Sequence, residues 1–236
     1  LPIFIVLVIQ CSVWAQAESK LNCSRHKSKV LDKSISFCIQ RSHPEVPQLN
    51  EPVIYFLHGL GGNETTWDRG GYSKALEDLV AQNPDFPAVT FISFETQMDS
   101  FFSDFQGISE GSRAYETWFL TEFIPFIEGN FSVCSERVCR GLAGVSMGGF
   151  GALKISLKYP ELFSIAAANS PALPPFSIHA DNSEWTKYFS NTQIGVVKGM
   201  VLLKDVRKIF PTEELYRLND PITLTSTFDN SVLKPS

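Results

Sequence analysis

The sequence has no run of basic residues, no internal repeat and no low-complexity stretch. Lysine and arginine total 20 against 25 aspartates and glutamates, and a net charge of -5 offers a polyanion nothing to hold. Nucleic-acid binding is therefore not expected. Histidine is scarce, with four in 236 residues, and only His179 follows residue 146. The cysteines are not paired with histidines at zinc-ligand spacing, so no metal and no organic cofactor is implied. The N-terminal apolar run, Leu1 to Ile9, turns polar too soon to span a bilayer, which argues against stable membrane insertion.

What is present is enough apolar material for one sizeable core. Hydrophobic residues make up 44% of the chain and aromatic residues 12%, which suits a single domain of this length. The Leu1 to Ile9 run precedes Ala15-Gln16-Ala17, a small-x-small cleavage pattern, and reads as a secretory leader over residues 1–17. The folded domain is then 18–236, secreted or periplasmic. No methionine and no basic residue comes before the apolar run, so the leader is expected to be clipped. Removing it leaves Cys23, Cys38, Cys134 and Cys139. An even count in an exported protein points to two disulfides. Three pairings are open, and the local one (Cys23 with Cys38, Cys134 with Cys139) is the simplest.

Strand and helix patterns alternate along the chain. Residues 18–50 read as an opening hairpin, with alternating apolar positions over Lys29–Ile39. Val53–Leu57, Ala88–Phe94, Val138–Val145 and Ile165–Ala168 are short apolar runs of the kind buried in a parallel sheet. Helical spacing marks Tyr72–Gln82, Tyr115–Ile127 with Pro125 kinking the end, Met147–Lys158 and Pro211–Leu218. Residues 171–210 open on three prolines and are expected to form several short helices, as a cap over a pocket. This order predicts an α/β fold with a mostly parallel sheet covered on both faces.

The strongest chemical signal is Gly144-Val145-Ser146-Met147-Gly148. A serine hydroxyl needs a base to become a good nucleophile. A tight strand-to-helix turn can present it above the sheet, and only glycine fits on either side of that turn. A strand leads in and a helix leads out, as the turn requires. His58-Gly59-Leu60-Gly61-Gly62, directly after the first buried strand, is the second signal. A loop there can lend one backbone N–H to an oxyanion hole while the residue after the nucleophile lends another, which nominates Leu60 and Met147. His58 comes before the serine, whereas the base of such a fold comes last, so His58 reads as structural.

With these residues in place the chain resembles the esterase family that includes esterase D (S-formylglutathione hydrolase), the mycobacterial mycolyltransferases and feruloyl-type esterases. The segments that carry the resemblance are Tyr55–Gly59, Asp99–Asp104, Tyr115–Leu120 with Glu122–Pro125, and Gly144–Gly151. They cover roughly residues 50 to 170, in the family's order. The resemblance implies an α/β-hydrolase fold with an eight-stranded sheet and hydrolysis or transfer of an acyl ester. It implies Ser146 as nucleophile with Leu60 and Met147 at the oxyanion hole. It places Asp104 near the mouth of the site without a defined role.

One part of the pattern fails. The fold needs serine, acid and histidine in that order. After Ser146 the only such pair is Glu161 with His179, and Glu161 follows the helix at the end away from the serine. Asp220-Pro221 resembles the family's segment shortly before its acid strand. The expectation is therefore that acid and base lie beyond Ser236 and that these 236 residues alone are not a competent enzyme. The function expected of the complete protein is a serine carboxylic-ester hydrolase acting on a small-molecule ester or thioester. The alternatives are an acyltransferase on the same scaffold and a non-catalytic hydrolase-fold binding protein.

Overall fold

A computed structural model describes residues 21–47, 49–109 and 111–227. The expected leader, residues 1–17, lies outside the described residues. The chain runs β1 (Asn22–Ser28), β2 (Lys33–Arg41), β3 (Val53–Leu57), α1 (Thr66–Arg69), α2 (Tyr72–Gln82), β4 (Thr90–Phe94) and α3 (Tyr115–Trp118). It continues through α4 (Ile124–Asn130), β5 (Arg140–Val145), α5 (Met147–Lys158), β6 (Ile165–Asn169), α6 (Asn182–Ser190), α7 (Val196–Ile209), α8 (Glu213–Arg217) and α9 (Pro221–Thr227). The six strands order as β1-β2-β4-β3-β5-β6. The hairpin β1–β2 is antiparallel and so is β2–β4, while β4, β3, β5 and β6 run parallel. This is the α/β architecture the sequence predicts, with six strands among the described residues where the resemblance implies eight.

β3 shows why the sheet is double-sided. Val53, Tyr55 and Leu57 point into the main core, and Phe56 points to the other face against Trp67 and Leu76. A strand covered on both faces has no reason to alternate apolar with polar, hence the unbroken run Val53–Leu57. The main core is strongly aromatic. Phe94 lies 5.2 Å from Phe119 and 5.0 Å from Phe123, and Trp118 stacks on Phe123 at 4.7 Å.

Several boundaries differ from the sequence reading, each for a local reason. The expected helix over Tyr115–Ile127 contains a π-helical turn, Phe119–Phe123, between α3 and α4. Pro125 has no N–H to give to the carbonyl four residues back, and its ring crowds that turn, so the helix widens there. The elbow strand starts at Arg140 rather than Val138, because Arg137–Cys139 is a 3₁₀ turn. Residues 88 and 89 precede β4. Helix α8 starts at Glu213 because the Thr212 hydroxyl caps it, accepting from Leu215 N–H at 3.2 Å. The cap segment is not uniformly short: α7 has 14 residues. Among the described residues no helix is long and apolar enough to cross a membrane.

The local cysteine pairing holds. Cys23 and Cys38 face each other across the β1–β2 ladder and are bonded. Cys134 and Cys139 are bonded across the turn that leads into β5. Replacing Cys134 and Cys139 together by serine should lower unfolding stability by about 2 kcal/mol, since the closed loop is small. A urea midpoint unchanged from the parent protein would refute that expectation.

Candidate active site

The elbow is built by close backbone approach. Ser146 joins β5 to α5 with φ 54° and ψ -114°, a left-handed conformation rarely adopted by a residue with a side chain. Such strain persists only where surrounding structure fixes it. Here Ser146 N–H donates to the Asn169 carbonyl at 3.0 Å, and the Ser146 carbonyl accepts from Phe150 and Ala172, both at 3.0 Å. β6, α5 and the segment after β6 therefore all hold the same residue. The glycines make the approach possible. A Cβ on Gly144 would stand 2.2 Å from the Gly148 carbonyl oxygen, and one on Gly148 would stand 1.9 Å from that of Leu57.

The loop after β3 closes on the elbow from the other side. A Cβ on Gly59 would lie 3.6 Å from that of Ser146, so the two turns are in van der Waals contact. Leu60 follows, half-exposed, and its N–H has no acceptor among the described residues. Met147 is the first residue of α5, where backbone N–H groups lack an intrahelical acceptor. The two donors nominated from sequence thus lie on adjoining turns beside Ser146.

His58 is buried completely and fully engaged. Its Nε2 accepts from the Thr96 N–H at 3.2 Å, so Nδ1 carries the proton and donates to the Gly59 carbonyl at 2.8 Å. Burial pulls its pKa down against the smaller opposing effect of the Gly59 bond, keeping the ring neutral. Its role is to tie the glycine loop to the end of β4. Among the described residues His179 bonds no carboxylate; its Nε2 lies 2.8 Å from the Phe210 carbonyl. Glu161 sits in an exposed turn past the far end of α5, a 12-residue helix, about 18 Å along its axis from Ser146. These two do not form a relay to the serine. His26 bonds Glu122, and His43 bonds Glu45 and the Phe86 carbonyl. All four histidines of the sequence are committed away from Ser146.

Asp104 is fixed by α3: its two oxygens accept from the Thr117 N–H at 3.0 Å and the Thr117 hydroxyl at 2.6 Å. It secures the loop before α3. A stronger device on that loop was not read from the sequence. Phe101 and Phe102 both have positive φ, at 47° and 51°. The Lys154 ammonium, wholly buried on α5 two turns past the serine, donates to the Phe102 carbonyl and the Ser103 hydroxyl, each at 2.6 Å. It also bonds Glu116 at 2.6 Å. Glu116 further accepts from Lys158 and, at 2.8 Å, from the Tyr159 hydroxyl. The sequence clue is a pair of lysines, Lys154 and Lys158, one turn apart on a largely apolar helix. Phe102 in turn packs against His58, ring centroids 5.3 Å apart, and fills the space a side chain on Gly151 would need. The loop thus braces both the glycine turn and the elbow helix.

Two hollows flank the elbow. One, of about 220 Å³, lies between Phe150, Pro171 and helices α6 and α7. The other, of about 660 Å³, lies between Leu60, Gly61 and the outer face of α7.

The chain is similar to known proteins. Residues 28–213 match the family described as "Putative esterase". The chain is 34% identical over 121 residues to an esterase of Mycobacterium tuberculosis, covering 50% of this chain and 25% of that protein. It is 31% identical over 113 residues to an endo-1,4-beta-xylanase/feruloyl esterase of Xylanibacter ruminicola, covering 48% of this chain and 15% of that one. The matched region is thus a quarter or less of these relatives' length. A solved S-formylglutathione hydrolase from Agrobacterium tumefaciens superposes with a TM-score of 0.62 at 20% identity, over 88% of this chain and 70% of that one. The superposition speaks for the α/β-hydrolase fold, and the match over residues 28–213 shows that this chain belongs to that esterase family.

Proposed function

We propose that the protein hydrolyses carboxylic esters through an acyl-serine intermediate, with Ser146 as nucleophile and the N–H groups of Leu60 and Met147 as oxyanion donors. The observation that carries this reading is the left-handed Ser146 held between β5 and α5 with the Gly59–Leu60 turn against it. Ser146 Oγ bonds to the ester carbonyl carbon, and its proton leaves with the alcohol as the ester C–O bond breaks. Water then attacks the acyl-serine, the Ser146 Oγ–C bond breaks, and the serine regains a proton. Donors fixed beforehand at the developing oxyanion contribute roughly 3 to 4 kcal/mol each to lowering the barrier. The proton acceptor is a group other than the four histidines of this sequence, since each is bonded elsewhere. Small esters or thioesters are the substrates, and no cofactor enters. The two disulfides suit folding in an oxidising compartment, secreted or periplasmic.

The engagement of all four histidines favours one other reading, a hydrolase scaffold that binds without turning over. A fluorophosphonate probe separates the two in protein carrying these residues with any native flanking sequence. The expected result is a mass adduct on the Ser146 peptide, absent in Ser146→Ala, with ester turnover falling on the order of a million-fold in that variant. Labelling that survives Ser146→Ala sinks the assignment. A parent protein that never labels favours the binding scaffold.

A further inference from the structure

The smaller hollow is joined to the elbow. Pro171 lies so close to α5 that a side chain on Gly149 would meet its Cα at 3.0 Å. Its neighbour Ala172 donates to the Ser146 carbonyl. Phe150, one turn past the serine, forms part of the wall, with Phe101, Pro171, Trp185, Leu203 and Phe210. Among the described residues no charged side chain lines it. Of its polar side-chain groups, the Trp185 Nε1 is spent on the Ser177 carbonyl at 3.2 Å and the Tyr216 hydroxyl on Asp220 at 3.3 Å, and the Tyr188 hydroxyl is the third. A carboxylate or a sugar hydroxyl placed here would lose its hydration and gain little in return. The larger cleft is also mostly apolar, through Met98, Val197 and Val201, but it carries charge: Asp99, Lys198 and Asp205 stand in its wall beside Leu60. Leu202 belongs to both walls, so the two compartments meet at that side chain.

Size narrows the occupant. A cavity of about 150 Å³ holds the six carbons of benzene, so one of about 220 Å³ takes about eight or nine. We propose that the smaller hollow receives the acyl part of the ester, that this part is apolar with about eight carbons, and that the larger cleft beside Leu60, with charged side chains in its wall, takes the alcohol. The proposal rests on Ser146 as nucleophile, because only then does a cavity seamed to the elbow receive the acyl side. Straight-chain and phenylpropanoyl groups share the required volume and lack of charge.

Two measurements test this, one of which needs no turnover. Titration with octanoate should perturb the emission of Trp185 saturably, and Trp185→Phe should remove the signal. Octanedioate, equal in length but charged at both ends, should bind at least about 30-fold more weakly. Leu202→Trp, a substitution at a half-buried position on the neck, should abolish octanoate binding with the circular dichroism unchanged. In the kinetic arm, each buried methylene is worth about fourfold. The kcat/KM for 4-nitrophenyl octanoate should therefore exceed that for the acetate, six methylenes shorter, by on the order of 1,000-fold, with no further gain at the hexadecanoate. 3-Phenylpropanoate should compete with octanoate if the cavity also takes a ring. Ser146 labelling together with a flat chain-length profile and no octanoate binding overturns the acyl cavity and leaves the esterase reading intact. Octanoate binding without any labelling of Ser146 overturns the assignment as an acyl site and defeats the esterase reading as well. Octanoate binding that persists in folded Leu202→Trp overturns the placement.

Discussion

Gly148→Ala should abolish the native fold around the elbow, and with it any labelling of Ser146. The added methyl would lie 1.9 Å from the Leu57 carbonyl oxygen, 2.4 Å from its carbon and 2.7 Å from the His58 carbonyl oxygen. All three atoms are backbone, so no rotamer change relieves the overlap. Relief requires α5 to move away from the end of β3, which separates Met147 from Leu60. Ordinary overpacking costs about 1 to 3 kcal/mol, and a collision with a central strand should exceed that range. Gly129→Ala is the contrasting case. Nothing lies within 4 Å of its Cβ position inside α4, so alanine there should stabilise by about 0.5 to 1 kcal/mol through helix propensity. Urea unfolding of both variants checks the pair. A Gly148→Ala protein with the parent's midpoint and normal fluorophosphonate labelling would show that the elbow is looser than described.

That contrast also explains what was legible in the sequence. A glycine required by backbone approach leaves a local pattern, and Gly144-x-Ser146-x-Gly148 stands between a strand and a helix that are themselves readable from hydrophobic runs. β3 was legible for the same reason: five apolar residues in a row have one comfortable environment, the middle of a covered sheet. The antiparallel hairpin was harder, because β1 carries Arg25, His26 and Lys27 and owes its place to the Cys23–Cys38 bond and to pairing with β2.

The supports of the site were not legible, because they depend on pairs distant in sequence. Glu122 accepts from the backbone N–H of Lys29 and Val30, more than 90 residues away, and so pins the hairpin turn to the π-helical turn. Lys154 meets Phe102 and Ser103 from about 50 residues away. A lysine inside an apolar helix looks like a surface position in one dimension. Only the fold shows that its charge is matched. The widening at Phe119–Phe123 is a middle case: Pro125 predicted a disturbance in the helix but not its form.

The buried group around Glu116 should govern acid stability. Burial pushes the Glu116 carboxyl up, but the Lys154 and Lys158 ammoniums beside it pull harder and bring it down to about 2. Burial lowers Lys154 to about 8 despite the attraction of Glu116, so the ammonium itself is held at some cost. The two ends act in opposite directions on stability. The carboxylate, depressed from 4.5, contributes stability that is fully present above pH 4.5 and is lost as pH falls toward 2. A depression of that size corresponds to something on the order of 3 kcal/mol. The lysine, depressed from 10.5, makes stability rise with pH between 8 and 10.5, where the unfolded chain holds a proton that the folded one has released. Glu116→Gln should therefore lower stability by about 3 to 5 kcal/mol at pH 7, since Lys154 would be buried without an anion. The same variant should lose most of the parent's decline between pH 4.5 and 2. Lys154→Met should cost less at pH 7, because Glu116 keeps Lys158 and Tyr159, yet it should free the Phe101–Ser103 turn that walls the apolar cavity. Urea midpoints across pH 2 to 7 decide the matter. Parallel pH profiles for the parent and Glu116→Gln would show that this carboxylate is not what the acid limb reports.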